Sequence, residues 1–509
     1  MKDTTRISLS TPPAPQFANY YETARVLVPD DEIEGRVCSS RTGDRSPPTN
    51  HPDASWKRPT MVWESVSLTI LFCVTLKEGS PVMNKTAKLW LVFVLLLVFL
   101  APSAARADDV TDWNQILIQA GVTDRTPPYI LPRYAAIVES AVFDAVNGIK
   151  GKYTPVHVVP GAPPGASARA AAVQAAYTTL VAIFPKQKST FDEKYASSLA
   201  GIASGPAAEH SVSILLGLQW GQAVANAILA WRATDGFNAV FPPYPGGDLP
   251  GQWRPTPPAF ASGVALQFVA MPPFVLQSPS QFRPGPPPAL TSQQYATDFN
   301  ETKTSGSVDS VVRTADETLY AQFWQDATVT YFWNRVALPL SAQHHLTLYE
   351  NARLLALLNL AEADAIIATF DAKYRYSFWR PVTAIRLADT DGNPATEVEP
   401  DWTPLIVTPA HPEYPSAHAI VSSAAAGVLA AFFGDNTEFS VDSSGLPGVT
   451  RSFSSLSAAL AEINNARVFG GIHYRNSCNV GQAVGTQVAN YVLSHALQSV
   501  NGERNGQSR

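Results

Sequence analysis

Apolar residues recur every three or four positions through most of the chain beyond residue 108, and many of the positions between them are alanine. This period is typical of helices that pack on one another, and alanine favours the helical backbone. Strand-like alternation is scarce. The pattern therefore predicts an all-α helical bundle, with helices over Leu131–Ile149, Ala168–Phe184, Ser211–Trp231, Asp316–Trp333, Ser341–Phe370, Ala417–Phe433, Ser454–Phe469 and Gly481–Leu497.

One long stretch interrupts the helical pattern. Between Pro242 and Pro288 there are 14 prolines in 47 residues, which excludes helix over most of the span. The stretch also carries four large aromatic side chains, whereas a free linker would be polar; they are Trp253, Phe260, Phe268 and Phe274. We therefore expect a long, ordered, Pro-rich excursion on the surface of the bundle.

A different apolar run lies nearer the start of the chain. From Met83 the sequence reads MNKTAKLWLVFVLLLVFLAPSAARA, with two lysines, twelve unbroken apolar residues at Leu89–Leu100, and a small-x-small site ending at Ala107. This order is that of a secretory signal peptide. A transmembrane anchor is the alternative, but twelve helical residues span only about 18 Å of a bilayer core near 30 Å.

The leader divides the chain into three parts. Because a signal peptide works only at the start of a chain, we interpret residues 1–82 as a mis-called translation start or a disordered extension. A genuine extension, with Leu68–Leu76 as its only apolar stretch, is the alternative. Residues 83–107 are then the signal peptide and residues 108–509 an all-helical domain in the periplasm or outside the cell.

The mature part would have 509 − 107 = 402 residues, enough for a large core. Its single cysteine, Cys478, allows no internal disulfide. No other apolar run approaches eighteen residues, so we predict no integral membrane span in it.

The charge composition of the chain excludes some classes of function. The chain has 36 Lys+Arg against 42 Asp+Glu, a formal net charge of −6, and only 15% charged residues. Such a composition is globular rather than disordered, and it lacks the basic excess of a nucleic-acid binder. We expect no nucleic-acid partner.

Three segments of the last third concentrate residues that carry chemistry. The first, KYRYSFWRP, places Lys373 and Arg380 seven residues apart, and on a continuous helix both cations would project from one face. The second, HPEYPSAH, puts Ser416 and His418 at the predicted start of a helix, where anions bind. In the third, RVFGGIH, Arg467 and His473 are six residues apart.

Together these segments favour an anion over a metal cation. A zinc site built on His411, His418 and His473 lacks an HExxH-type spacing and would lie beside repelling arginines. Arginines, a lysine, a helix-terminal serine and histidines instead suit a compact oxyanion with several negative charges. Phosphate fits, as does any tetrahedral oxyanion of its shape.

The order of these three segments along the chain is a more specific signature than any one segment alone. KYRYSFWRP at 373–381, PSAH at 415–418 and RVFGGIH at 467–473 resemble the signature of the vanadium-dependent haloperoxidases and the type 2 phosphatidic acid phosphatases, which share one helical fold. The contexts PVTAIR and HPEYPSAHA are similar to the haloperoxidase branch. By motif the resemblance covers roughly Pro339–Leu497, and it implies a bundle of the vanadium haloperoxidase/acid phosphatase type.

The resemblance also implies a role for each residue. Vanadate would be the cofactor, and phosphate would fit the same site. Three cations would neutralise it, namely Lys373, Arg380 and Arg467, and Lys373 would polarise the peroxide oxygen that the halide attacks. Ser416 and the backbone N–H of Ala417 would donate hydrogen bonds to it. His473 would bond vanadium, or attack phosphorus in a phosphatase, and His418 would be the acid–base group.

Two positions depart from the family pattern. Ala417 replaces the usual glycine of Pro-Ser-Gly-His, which keeps the backbone N–H but requires an ordinary backbone angle. Ser477 stands where the phosphatases commonly have an aspartate that orients the last histidine. This second departure disfavours phospho-histidine chemistry more than oxyanion binding. Asn476 or Asn479 is expected to orient the ring of His473 instead.

The first hypothesis is thus a haloperoxidase that uses hydrogen peroxide and a halide and halogenates a small organic acceptor. The alternatives are a soluble secreted acid phosphatase with His473 as its nucleophile, and a catalytically idle oxyanion-binding protein. His411 lies five residues before Ser416. In the resembled family a histidine there is typical of bromoperoxidases, so bromide is the expected halide. The alternative is that His411 only satisfies a loop carbonyl.

Overall fold

The structure, a computed structural model, describes residues 108–325, 329–443 and 445–500. All of these described residues belong to one compact unit. The predicted signal peptide at 83–107 and the segment 1–82 lie outside the described residues, so both stay predictions.

Thirteen α-helices and one two-stranded hairpin make up the regular structure of the described part. The helices are α1 Asp109–Thr123, α2 Leu131–Lys150, α3 Ala168–Ile183, α4 Lys188–Ser204, α5 Ser211–Arg232, α6 Gln293–Ser305, α7 Ala315–Phe323, α8 Val329–Gln343, α9 Leu348–Tyr376, α10 Pro381–Arg386, α11 Ala417–Phe433, α12 Leu456–Phe469 and α13 Arg475–His495. The strands are β1 Phe439–Asp442 and β2 Thr450–Phe453, paired antiparallel. The all-α prediction is confirmed.

Three predicted helices have wrong bounds. The helix predicted over Gly481–Leu497 begins at Arg475 and ends at His495. The segment Asp316–Trp333 is divided between α7 and α8. The helix predicted from Ser341 begins at Leu348 and ends at Tyr376. The Thr347 side chain accepts a hydrogen bond from the backbone N–H of Glu350, and the Glu350 carboxylate accepts one from the backbone N–H of Thr347. This capping box starts α9 there.

Four helices were not predicted, namely α1, α4, α6 and α10. The periodic signal was weak because two of them bury few apolar side chains: α4 buries only Phe191 and Ile202 among its seventeen residues, and α6 is rich in polar residues. α10 has six residues, fewer than two turns.

α9 is the central element of the bundle. Almost every residue from Asn351 to Lys373 is buried, and the helix packs against α2 on one side and α11 on the other. α2 continues into a layer with α3 and α5, and α11 into a layer with α12 and α13. Because both layers pack on α9, its carboxyl end is surrounded by structure, and this end carries Lys373.

The Pro-rich excursion contains only one short 3₁₀ helix, Leu266–Val269. Trp253 and Phe268 are fully buried within it, whereas Phe260 is exposed. Its backbone pairs with the chain just after α9: the N–H of Trp253 donates to the carbonyl of Ser377 at 2.7 Å. The excursion is thereby attached next to the segment that carries Arg380.

One helix of the described part, α5, is long and apolar enough to span a membrane by length and composition. Helices of bundle cores pass the same test, and α5 packs along α3. The absence of an integral span therefore stays a prediction.

Candidate active site

A turn between two helices, which the sequence pattern did not predict, brings Lys373 and Arg380 together. α9 ends at Tyr376, and Ser377 adopts the left-handed backbone with φ 46°. Arg380 is the residue before α10. The expectation that both cations share one helix face is therefore wrong, and a turn between two helices brings them together.

Both cations are fully buried and hold the same loop. The Nζ of Lys373 donates to the carbonyls of Pro412 and Glu413, each at 2.8 Å. The Nε of Arg380 donates to the carbonyl of His411 at 2.9 Å. The HPEYPSAH segment is thus fixed by the two charges of the KYRYSFWRP segment.

His473 has a defined protonation state. The Nη1 of Arg380 lies 3.2 Å from its Nε2, and a guanidinium can only donate, so Nε2 accepts. Nδ1 then carries the proton and donates to Oε1 of Glu413 at 2.7 Å. Burial lowers the pKa of His473 well below its usual value, and the charges of Arg380 and Lys373 lower it further. His473 is therefore a neutral imidazole with its Nε2 lone pair on the side of Arg380.

Glu413 is the residue that sequence reasoning missed. Its carboxylate also accepts the backbone N–H of Tyr474 at 3.1 Å. Burial raises its pKa to about 7 against the opposing charges of Lys373 and Arg380. Because Glu413 orients His473, the expectation that Asn476 or Asn479 does so is wrong.

Ser416 and Ala417 form the start of α11. Ser416 is the residue before the first helical turn, but its side chain makes no capping bond. Its Oγ is buried and lies near the Cys478 thiol, which forms only weak hydrogen bonds. It has no nitrogen or oxygen partner in the described part of the chain. Ala417 is the first helical residue. Its backbone is therefore helical, and this is an ordinary conformation that a residue with a methyl side chain can adopt.

His418 and Arg467 share a backbone partner. The carbonyl of Trp324 accepts from Nη1 of Arg467 at 3.2 Å and from the imidazole of His418. The Nε2 of His418 and the Nε of Arg467 are both buried, and neither has a partner among the described residues. Burial lowers the pKa of His418 well below its usual value, with Arg467 as the next cause. His418 is thus neutral, and its Nε2 is free to accept a proton.

His411 is also a neutral imidazole. The Nη2 of Arg380 lies 3.0 Å from its Nδ1, so that nitrogen accepts. The Pro412 carbonyl, 3.2 Å from the same nitrogen, would need a proton there, and the shorter contact with an obligate donor decides against it. Burial lowers the pKa of His411 well below its usual value, followed by Lys373 and Arg380. A protonated His411 is therefore disfavoured.

The three buried cations favour the binding of an anion. Burial lowers the pKa of Arg380 to about 9 and that of Arg467 to about 10, and it also lowers that of Lys373, with Arg380 as the next cause. Buried charges are costly unless they are paired, and Glu413 supplies a single carboxylate against these three cations. The unpartnered Ser416 Oγ, His418 Nε2 and Arg467 Nε are groups that an oxyanion with its hydroxyl would satisfy. The residues present therefore fit a multiply charged oxyanion such as vanadate or phosphate.

The site lies at one end of a cavity of about 330 Å³. His411, Ala417, His418, Arg467 and His473 line that end. The remaining wall is largely apolar and comes from the start of α2, the excursion, α9, α11 and the loop before His411.

Comparisons with known proteins agree with this geometry. Residues 353–502 match the family model described as the VCPO second helical-bundle domain. A solved structure described as the first bacterial vanadium-dependent iodoperoxidase aligns with a TM-score of 0.66 and 26% identity, over 77% of this chain and 97% of that chain. The matched residues 353–502 are thus a helical-bundle domain of the vanadium haloperoxidase type, and the neighbours support the vanadium haloperoxidase superfamily.

Two further solved structures share the fold of this chain. The apo form of a bacterial vanadium-dependent chloroperoxidase aligns with a TM-score of 0.58 and 17% identity, over 72% of this chain and 93% of that chain. The holo form aligns with a TM-score of 0.58 and 16% identity, over 78% and 94%. No curated protein matches the chain significantly in sequence.

Proposed function

We propose that the protein is a vanadate-dependent haloperoxidase that oxidises a halide with hydrogen peroxide to hypohalous acid. The observation that carries the proposal is the set of three buried cations around three unpartnered polar atoms and a neutral His473. Its family and the haloperoxidases of the same fold support it.

The side chains divide the work as follows. Lys373, Arg380 and Arg467 would balance the charge of the oxyanion. His473 would bind through Nε2, with Glu413 fixing the ring from the other side. Bound vanadate would supply a Lewis-acidic centre that activates hydrogen peroxide for oxygen transfer to the halide.

Proton handling falls to His418. Its imidazole is held by the Trp324 carbonyl, so the unprotonated Nε2 would take a proton released during the reaction and return it to the leaving water. Ser416 Oγ would donate a hydrogen bond to the oxyanion. Lys373, held by two carbonyls, would direct its charge towards the developing negative charge on oxygen.

The test combines activity with binding. Purified protein should brominate a dye in the presence of peroxide and bromide only after addition of orthovanadate, and inorganic phosphate should compete with orthovanadate for the protein. Arg467→Ala should weaken orthovanadate binding because a charge-assisted contact of about 1.5–3 kcal/mol is lost. Unchanged affinity in this variant would place the anion elsewhere.

We propose bromide as the preferred halide on the basis of His411. A neutral imidazole beside the anion site would donate a hydrogen bond from Nε2 and reduce the oxidising power available for chloride. Bromide turnover with little chloride turnover is the expected result. His411→Phe should raise chloride turnover relative to bromide, and an unchanged ratio would leave His411 with only its hydrogen bond to Arg380.

Phosphate-ester hydrolysis is the second candidate, and a specific contact favours it. Glu413 supplies to His473 the carboxylate that the phosphatases of this superfamily place on a different residue, so the absence of an aspartate at position 477 does not disfavour a phospho-histidine. A phosphate-ester assay beside the bromination assay separates the two. Ester turnover without vanadate-dependent bromination would replace the first proposal.

We also propose that the protein is exported to the periplasm or secreted. The leader at 83–107 is the reason, and the fold is compatible with cleavage after Ala107. The Asp108 side chain accepts a hydrogen bond from the backbone N–H of Thr111, and the Asp108 backbone N–H donates to Oγ1 of Thr111. Cleavage before Asp108 would leave this cap of α1 complete. N-terminal sequencing of exported protein should begin at Asp108, whereas an exported chain that retains residues 1–82 would contradict the leader.

A further inference from the structure

The part of the cavity beyond the anion site has a uniform chemistry. We call it the outer cavity, and its wall includes Tyr129, Val264, Ile366, Phe370, Val407 and Val421. Among the described residues that line the cavity, Gln325 and the Tyr129 hydroxyl are the polar groups outside the anion site. Arg467 is the one charged side chain of the whole described lining, because the three histidines in it are neutral. The outer cavity is thus neutral and apolar.

The outer cavity leads from solvent to the reacting centre. Val407 is 62% exposed, whereas Phe370 and Val421 are buried. Phe370 packs edge-on against the His411 ring, with their centroids 5.4 Å apart. A molecule that enters past Val407 would therefore contact Phe370 and then reach the residues of the anion site.

The aromatic wall is rigidly held. Phe370 stacks on Phe268 at 5.8 Å and meets Tyr129 edge-on at 5.9 Å. Apolar aromatic surface of this kind binds apolar rings, because binding removes both apolar surfaces from water. The volume of about 330 Å³ is at the lower end of the range of about 300–1,000 Å³ typical of small-molecule sites. A mouth that only released hypohalous acid would need no such wall.

We propose that the outer cavity binds the organic acceptor itself, a neutral, electron-rich aromatic molecule such as a phenol or an indole, and that halogenation takes place there. This inference rests on the proposed haloperoxidase function. The overall reaction is ArH + X⁻ + H₂O₂ + H⁺ → ArX + 2 H₂O. The halide is oxidised by two electrons, the O–O bond is reduced to water, and the ring loses its proton as the carbon–halogen bond forms.

The test begins with binding alone, using 2-naphthol as the probe. Calorimetry with purified protein, without peroxide and halide, should give saturable binding. Val264→Trp should fill the outer cavity and weaken binding about tenfold. Val407→Trp narrows the rim at an exposed position, so it gives the same test if the first variant does not fold. Val311→Trp is the matched control, because Val311 is 96% exposed and lies outside the cavity lining.

The second readout is the choice between acceptors. With 2-naphthol and taurine present together, the enzyme should favour 2-naphthol about tenfold more than added hypobromite does. Val264→Trp should lose this preference, and Val311→Trp should keep it.

The outcomes separate the inference from the proposed function. Bromination with the selectivity of free hypobromite and no saturable binding would overturn the inference and leave the haloperoxidase function intact. Saturable binding that Val264→Trp weakens, without any bromination, would support an aromatic-binding cavity and overturn the haloperoxidase function.

Discussion

A single carboxylate, Glu413, offsets part of the positive charge of the candidate site. It is fully buried beside Lys373 and Arg380 and accepts a hydrogen bond from the imidazole of His473, which would bind the oxyanion. Removal of one partner from a buried ion cluster leaves uncompensated charge. The stability of the protein and its affinity for oxyanions are therefore coupled through this residue.

We predict that Glu413→Gln lowers the free energy of unfolding by about 3–5 kcal/mol at pH 8. Orthovanadate should restore part of the loss, because an anion replaces the missing charge. Denaturant unfolding with and without orthovanadate measures both effects. Glu438→Gln, at an exposed position, is the control and should change neither; wild-type stability in Glu413→Gln would mean that the cations are balanced otherwise.

Replacement of His473 and replacement of His418 should have different effects on orthovanadate binding and turnover. His473→Ala should abolish both orthovanadate binding and halogenation, because the ligand is lost. His418→Ala should keep appreciable orthovanadate binding and slow turnover by about 10²–10⁴-fold, the usual contribution of a general acid–base group. Titration with orthovanadate and steady-state kinetics decide, and equal loss of binding in both variants would contradict this division.

At the scale of elements, two buried aspartates anchor loops to helices in the same way. Asp364 on α9 accepts the backbone N–H groups of residues 274–276 in the excursion. Asp144 on α2 accepts those of residues 156–158. Burial raises the pKa of each carboxyl to about 6. Each aspartate therefore attaches a segment that lacks regular structure of its own.

We predict that Asp364→Ala destabilises the protein by about 3 kcal/mol, because three backbone donors lose a charged acceptor. Limited proteolysis should then cut within residues 242–288. Asp144→Ala is the matched variant: it should cost a similar free energy but leave the excursion resistant. Equal cleavage of the excursion in both variants would indicate general loosening rather than loss of one anchor.

For the whole molecule, the pH dependence of stability follows from carboxyls buried in the bundle. Burial raises the pKa of Glu362 to about 8 and that of Glu139 to about 7. Between the ordinary value of 4.5 and these raised values, the folded protein holds protons that the unfolded chain has released. The stability that these two carboxyls contribute therefore falls as pH rises through this window, whereas the buried neutral histidines contribute the opposite slope below their ordinary pKa of 6.5.

We predict a higher melting temperature at pH 5 than at pH 8. Glu362→Gln should remove part of this slope and raise stability at pH 8 by a few kcal/mol, since each unit of pKa shift corresponds to about 1.4 kcal/mol. Thermal unfolding across pH 5–8 tests both statements, with Glu438→Gln as the exposed control. A slope that is the same in Glu362→Gln and in the wild type would mean that Glu362 ionises normally.

The sequence predicts those features of the molecule that depend on residues close together in the chain. The period of apolar residues placed α11 at its observed bounds, and the order of basic, serine and histidine residues identified every side chain that lines the anion end of the cavity. Glu413 was visible in the HPEYPSAH motif, but its partner His473 is 60 residues away. Nothing local in either segment indicates that pairing.

The sequence by itself determined the all-α class, the family and the chemical types of the site residues, because helix period, caps and motif order are properties of neighbouring positions. Only the tertiary structure decided how these residues meet. The turn at Ser377, not a helix face, brings Lys373 and Arg380 together, and the packing of α9 against α2 and α11 forms the apolar cavity. Burial is the physical reason: it sets which charges must be paired, which imidazoles stay neutral and which side chains share a wall, and it exists only once the helices have packed.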